Sequence, residues 1–73
     1  MVKMKMAGTV KFFIPSRDFG YIIPDDGGPD VFLHRRSLDM SGIDDVKKGD
    51  RLHFDRVTDE RRGFQAYKPK LIN

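Results

Sequence analysis

Two short stretches, Phe19-Gly20-Tyr21-Ile22 and Val31-Phe32-Leu33-His34, constrain this chain more than any other feature. In a β-strand, residues i and i+2 share a face. Alternation therefore puts Phe19 and Tyr21 opposite Ile22, and Phe32 and His34 opposite Val31 and Leu33. The aliphatic set reads as a core face. The other face carries flat, unsaturated rings where a solvated strand carries Lys, Thr or Glu. A sheet that is apolar on both faces needs a second cover, and a chain of 73 residues has little left to supply one. The ring face is thus expected to stay open as a stacking platform for flat ligands, nucleobases above all. Cross-strand aromatic pairs also stabilise sheets with no ligand, so one ring alone carries little weight. It is the four together that point to a platform. Gly20 is expected either to open the face opposite the rings or to let backbone approach closely.

Turn residues divide the rest of the chain. Residues 1–7 read as a short lead-in and 8–73 as one domain. Gly8 to Ile14 is rich in β-formers and ends at Pro15-Ser16. Phe19 to Ile23 is a second strand, stopped by Pro24. The cluster Asp25-Asp26-Gly27-Gly28-Pro29 turns the chain into a third strand, Asp30 to His34, giving an antiparallel hairpin. Arg35 to Lys48 is the longest connection, with at most a turn of helix around Arg36-Ser37-Leu38. Connections of that length are more often functional than short ones. Asp50 to Val57 is a fourth strand with Leu52 and Phe54 on one face. Gly63 to Lys68 is a fifth, ended or placed on an edge by Pro69. The fold class expected is all-β, a small five-stranded antiparallel β-barrel of the oligonucleotide/oligosaccharide-binding (OB) type, closed because closure removes free edges.

Composition narrows the functions open to such a barrel. The chain has no cysteine, hence no disulfide, no thiolate nucleophile and no Cys-based zinc site. That suits a reducing cytoplasm, the expected location. No apolar run approaches the ~18 residues of a membrane span, and Met1 to Met6 lacks the apolar stretch of a signal peptide. The net charge of +3 permits a polyanionic partner without demanding one. His34 and His53 are the only histidines, and neither has ligands at metal spacing. The Asp25–Asp30 stretch lacks the spaced donors and closing Glu of a calcium loop. Ser16, Ser37 and Ser41 sit in no nucleophile motif. No cofactor, metal, small-molecule substrate or catalytic activity is expected. Lys47-Lys48 reads as a solvated loop, whereas Arg61-Arg62 lies where it could reach phosphates.

These residues resemble the cold-shock domain family. Gly8-Thr9-Val10-Lys11-Phe12-Phe13 is similar to its opening Gly-Thr-Val-Lys-Trp-Phe. Arg17-Asp18-Phe19-Gly20-Tyr21-Ile22 resembles its first ribonucleoprotein motif, Lys-Gly-Phe-Gly-Phe-Ile, and Asp30-Val31-Phe32-Leu33-His34 its second, Asp-Val-Phe-Val-His. Gly49, Leu52, Phe54 and Gly63-Phe64-Gln65-Ala66 resemble its close. The resemblance runs from about Gly8 to the C-terminus. It implies binding of single-stranded RNA and DNA with little sequence preference, RNA chaperoning or control of transcription and translation, and no enzymatic activity. A monomer is expected, with a dimer left open. It places Lys11, Phe12, Phe19, Tyr21, Asp30, Phe32 and His34 at the ligand face, with Arg17 and Arg62 near phosphates. Lys11 and Phe12 can share a side only across a bulge.

The departures are Phe12 for Trp, Ile14 for Asn, Arg35 for Phe, Ile43 for an aromatic, and Phe64 for Pro. Arg35 and Phe64 are kept as ligand-face candidates, since a guanidinium or a ring can stack, and Tyr67 is a further ring able to restore stacking surface, its facing left open by the sequence. Two missing rings are expected to weaken binding by ~1–3 kcal/mol, less than two full stacks. The alternative reading is a protein-interaction or regulatory module using the same barrel face. Salt-sensitive quenching of tyrosine fluorescence by oligo-dT separates the two.

Overall fold

The computed structural model describes residues 4–61 and 63–72, without the side chains of Met4 and Asp59. The strands are β1 (Met4–Ile14), β2 (Phe19–Pro24), β3 (Val31–His34), β4 (Arg51–Asp59) and β5 (Gly63–Leu71). A 3-10 turn, Pro15–Arg17, joins β1 to β2, and a helix, α1 (Arg35–Met40), follows β3. The strands close into a barrel in the order β1-β2-β3-β5-β4. The first strand begins at Met4, ahead of the expected Gly8, and its early residues pair with β4 from Met4↔Arg56 to Thr9↔Arg51. Its later residues pair with β2 from Gly8↔Pro24 to Ile14↔Phe19. One long strand thus serves two neighbours. Glycine allows the close approach where the two pairings overlap: a Cβ on Gly8 would lie 2.6 Å from Ile22 Cγ2 and 2.7 Å from the Ile23 carbonyl oxygen.

Four seams are antiparallel, but β3 runs parallel to β5. An odd number of strands cannot alternate direction all the way round a closed sheet, so one parallel seam is unavoidable. It is short, Val31↔Phe64 and Phe32↔Gln65. Beside it α1 packs on β5, where the buried Ser37 hydroxyl donates to the Ala66 carbonyl oxygen at 3.3 Å.

The long connection does not form an open loop. Leu38, Ile43 and Val46 turn into the barrel and join Val10, Ile22, Val31, Leu33, Leu52, Phe54 and Ala66 in one buried cluster. Burial of these side chains, at about 25 cal/mol per Å², is what holds so short a chain closed. Leu52 and Phe54 share the inner face, as their spacing implies. Pro69 neither ends β5 nor sits on an edge. It is fully buried at an irregularity where the pairing jumps from Asp55↔Tyr67 to His53↔Lys70. Lys68 takes a left-handed φ of 51° there. A bulge needs no ladder N–H, so proline is tolerated inside the strand.

Candidate nucleic-acid interface

The β2–β3 pairing sets Phe19 opposite His34 and Tyr21 opposite Phe32. On β1 the register shifts between Val10 and Phe12. This is the bulge that the resemblance required, and it brings Phe12 opposite Tyr21. Five flat side chains from three strands then form one contiguous group. Ring centroids are 5.6 Å apart for Phe12–Tyr21, 5.7 Å for Tyr21–Phe32, 5.8 Å for Phe19–Phe32, 6.1 Å for Phe32–His34 and 6.3 Å for Phe19–Tyr21. Gly20 lies behind them. A Cβ there would meet the Phe12 carbonyl oxygen at 2.1 Å and Phe13 Cα at 2.7 Å. Of the two roles expected for this glycine, close approach of backbone is the one seen.

The face is less open than alternation implies. Phe12, Phe19, Tyr21 and His34 are half-buried, but Phe32 is only 4% exposed. Phe32 stands at the centre of the group, with rings on three sides.

His34 has a second task. It is the N-cap of α1, and its Nδ1 accepts the Arg36 N–H at 3.0 Å. An accepting Nδ1 puts the proton of the neutral ring on Nε2. The cap therefore fixes both the ring plane and the tautomer at the edge of the group. Nothing in the strand pattern announces this role.

The charged candidates divide. Lys11 is exposed, and its Nζ lies 2.9 Å from Asp30 Oδ2, so these two are a pair at the rim. Arg17 is exposed at the end of the 3-10 turn. Arg35 does not lie among the rings. Its guanidinium donates to the Asp44 carbonyl oxygen at 2.7 Å, with Asp18 at 3.9 Å. Arg62 lies outside the described residues. Phe64 also stands apart from the rings, packed against the core with the Arg56 guanidinium 4.4 Å from its centroid. Ile43 is not at the face either. It is 8% exposed and belongs to the core.

A groove that the sequence did not disclose leads away from the rings. Its near part is lined by Phe32, His34, Met40, Gln65 and Tyr67. Its far part shares Met40 and Tyr67 and adds Lys68 and Lys70. Only the docking of α1 on β5 brings Met40 beside Tyr67, and no local pattern reports such a contact. Among the described residues, no three His, Cys, Asp or Glu side chains gather as metal ligands, and no helix is long and apolar enough to cross a membrane.

The model of the family described as 'Cold-shock' DNA-binding domain matches residues 6–71. Among curated proteins, the chain is 39% identical to the cold shock protein CspA of Rhizobium meliloti over 57 residues, 78% of this chain and 83% of that protein. It is 40% identical to the cold shock protein ScoF of Streptomyces coelicolor over 60 residues, 82% and 88% of the two chains. It is 38% identical to the cold shock-like protein CspA of Stigmatella aurantiaca over 65 residues, 89% and 94%.

Proposed function

The chain belongs to the 'Cold-shock' DNA-binding domain family, and from that premise we propose that it binds single-stranded RNA and DNA through the ring face, with little sequence preference. It does so as a monomer and without catalysis, serving as an RNA chaperone or a regulator of transcription or translation. The contiguous group of Phe12, Phe19, Tyr21, Phe32 and His34 carries the reading. Every base offers a π-face, so stacking on such rings binds a strand without reading it. Bases in a duplex are already stacked and cannot reach them. Among the described residues the rim supplies charge through Lys11 and Arg17, which supports a binding energy dominated by stacking. The lack of cysteine supports a cytoplasmic setting.

The chain has two tyrosines and no tryptophan, which makes the test simple. In a Tyr67→Phe variant, Tyr21 is the sole intrinsic reporter, and it sits within the rings. Oligo-dT should quench it in a salt-sensitive way, and a duplex of equal length far less. Equal quenching by both would point to a basic-patch contact. Oligo-dT that neither quenches nor shifts at low salt would favour a protein partner on the same face.

A further inference from the structure

The groove between α1 and β5 opens directly from the ring group, since Phe32 and His34 line its near part. It carries an apolar surface that folding leaves bare: Met40 is 72% exposed and Tyr67 37%. Charge is placed along it. Lys68 Nζ lies 5.5 Å from the Tyr67 ring centroid, and Lys70 lines the far part, which holds no carboxylate among the described residues. The bulge at Lys68 produces this pairing. Its left-handed backbone aims two successive side chains, a ring and a cation, at the same place. A flat ring beside a methionine thioether, with ammonium groups within reach, fits a base with its phosphates.

We propose that a bound strand leaving the rings at His34 continues along this groove, laying one further base on Tyr67 and Met40 and its phosphates on Lys68 and Lys70. The proposal rests on the single-strand reading above and adds a subsite to it. An occupant of this kind is favoured because the groove continues the ring face and is positively charged.

The test compares length dependence. Site sizes of OB barrels run from ~4 to 16 nucleotides, so labelled oligo-dT of about six and about ten nucleotides brackets the ring face with and without the groove. Anisotropy titrations use the parent, a Tyr67→Thr/Lys70→Gln double variant and, on the exposed end of α1, Met40→Gln. Threonine keeps the strand preference of β5, and thermal unfolding checks that each variant folds. All proteins should bind the short oligomer alike. The parent's gain on lengthening should exceed the double variant's by about fivefold, the lower end of one stacked base, with Met40→Gln between them. Extra registers on the longer oligomer raise all proteins equally and cancel. Equal gains in parent and variants would overturn the subsite while leaving the ring reading intact. Loss of short-oligomer binding in the variants would also overturn it, by making these residues part of the ring site. A parent that binds neither length would sink both readings. A parent dimer in sedimentation velocity that Met40→Gln dissolves would give the groove to a second copy of the chain.

Discussion

The two faces of the β2–β3 hairpin are both apolar, yet they differ in kind. Inside, Ile22, Val31 and Leu33 are fully buried. They are branched aliphatics, whose shape fills an irregular volume at the density of a packed interior. Outside stand Phe19, Tyr21, Phe32 and His34. These meet one another at tilted, edge-on or offset angles, from 29° for Phe19–Phe32 to 81° for Phe19–Tyr21. Aromatic pairs prefer such arrangements. Rings that contact mainly one another fill no interior volume and keep part of their surface for something else. On a strand with no polar face, the type of apolar residue identifies the core. Phe32 qualifies the rule, because it points outward and is nonetheless buried.

The largest effect should come from breaking the inner face. Leu33→Ala removes a fully buried side chain and should cost ~2–5 kcal/mol in urea unfolding, with oligo-dT affinity of the folded protein nearly unchanged. Next comes the outer face. Phe19→Ala should cost ~1–3 kcal/mol of oligo-dT affinity and only ~0.5–1.5 kcal/mol of stability from its lost ring pairs. The contrast fails if, with both variants folded, Leu33→Ala binds more weakly than Phe19→Ala. Phe32→Ala is a poor probe of either face, since a residue so buried should lose stability and affinity together.

Much of this contrast was legible in the chain. Period-two alternation found both faces, and the order of turn residues found five strands and a barrel. What escaped was set by contacts distant in sequence. The parallel β3–β5 seam follows from the parity of closure, not from either strand's residues. The resemblance puts Ile43 at a stacking position, yet its connection lacks the periodicity that would assign it a face, and in the fold it joins Leu38 and Val46 in the buried core. Pro69 reads as a terminator because a ladder needs N–H groups. The bulge removes that need, and only the β4–β5 register reveals it. Arg35 occupies a family ring position but is drawn aside by the Asp44 carbonyl and Asp18. With Ile43 in the core, a penalty for a missing ring is proposed for the Arg35 position alone.

A smaller effect would sharpen the comparison at the rim of the outer face. With ~2–4 phosphates neutralised, log K against log salt should have a slope of about −1.5 to −3 on the single-strand factor. In the free protein, Lys11 is held by Asp30. Asp30→Asn should release it to a phosphate and steepen the slope by ~0.7, whatever happens to affinity at one salt concentration. A slope that does not change would mean that Lys11 already leaves Asp30 when the strand binds.

The smallest effect belongs to a contact that serves the barrel and not the rings. Arg51 grips Asp25 with two nitrogens at 2.6 and 2.7 Å, and its Nη1 also donates to Thr9 Oγ1 at 3.0 Å. This ties the start of β4 to β1 and to the turn after β2. The hydrogen bond from Arg51 is the main cause that lowers the Asp25 pKa, assisted by the charges of Arg51 and His53 and opposed by desolvation. A carboxyl whose pKa is lower folded than unfolded stabilises the fold above its ordinary value of about 3.9. That contribution is lost as pH falls through the lowered folded value. The Arg51 pKa is raised by the same bond, but arginine stays charged throughout this range, so the acid limb belongs to Asp25. Asp25→Asn should therefore melt slightly below the parent at neutral pH, and the gap should close as the pH drops below the ordinary carboxylate value. Being exposed, the pair is weakened by salt and solvent, which is why its effect ranks last. Oligo-dT affinity at neutral pH should be the same in both proteins, because Asp25 makes none of the ring contacts. A melting gap that persists into acid would show that the Asp25→Asn substitution harms the turn itself, and that the charge of Asp25 is not what matters there.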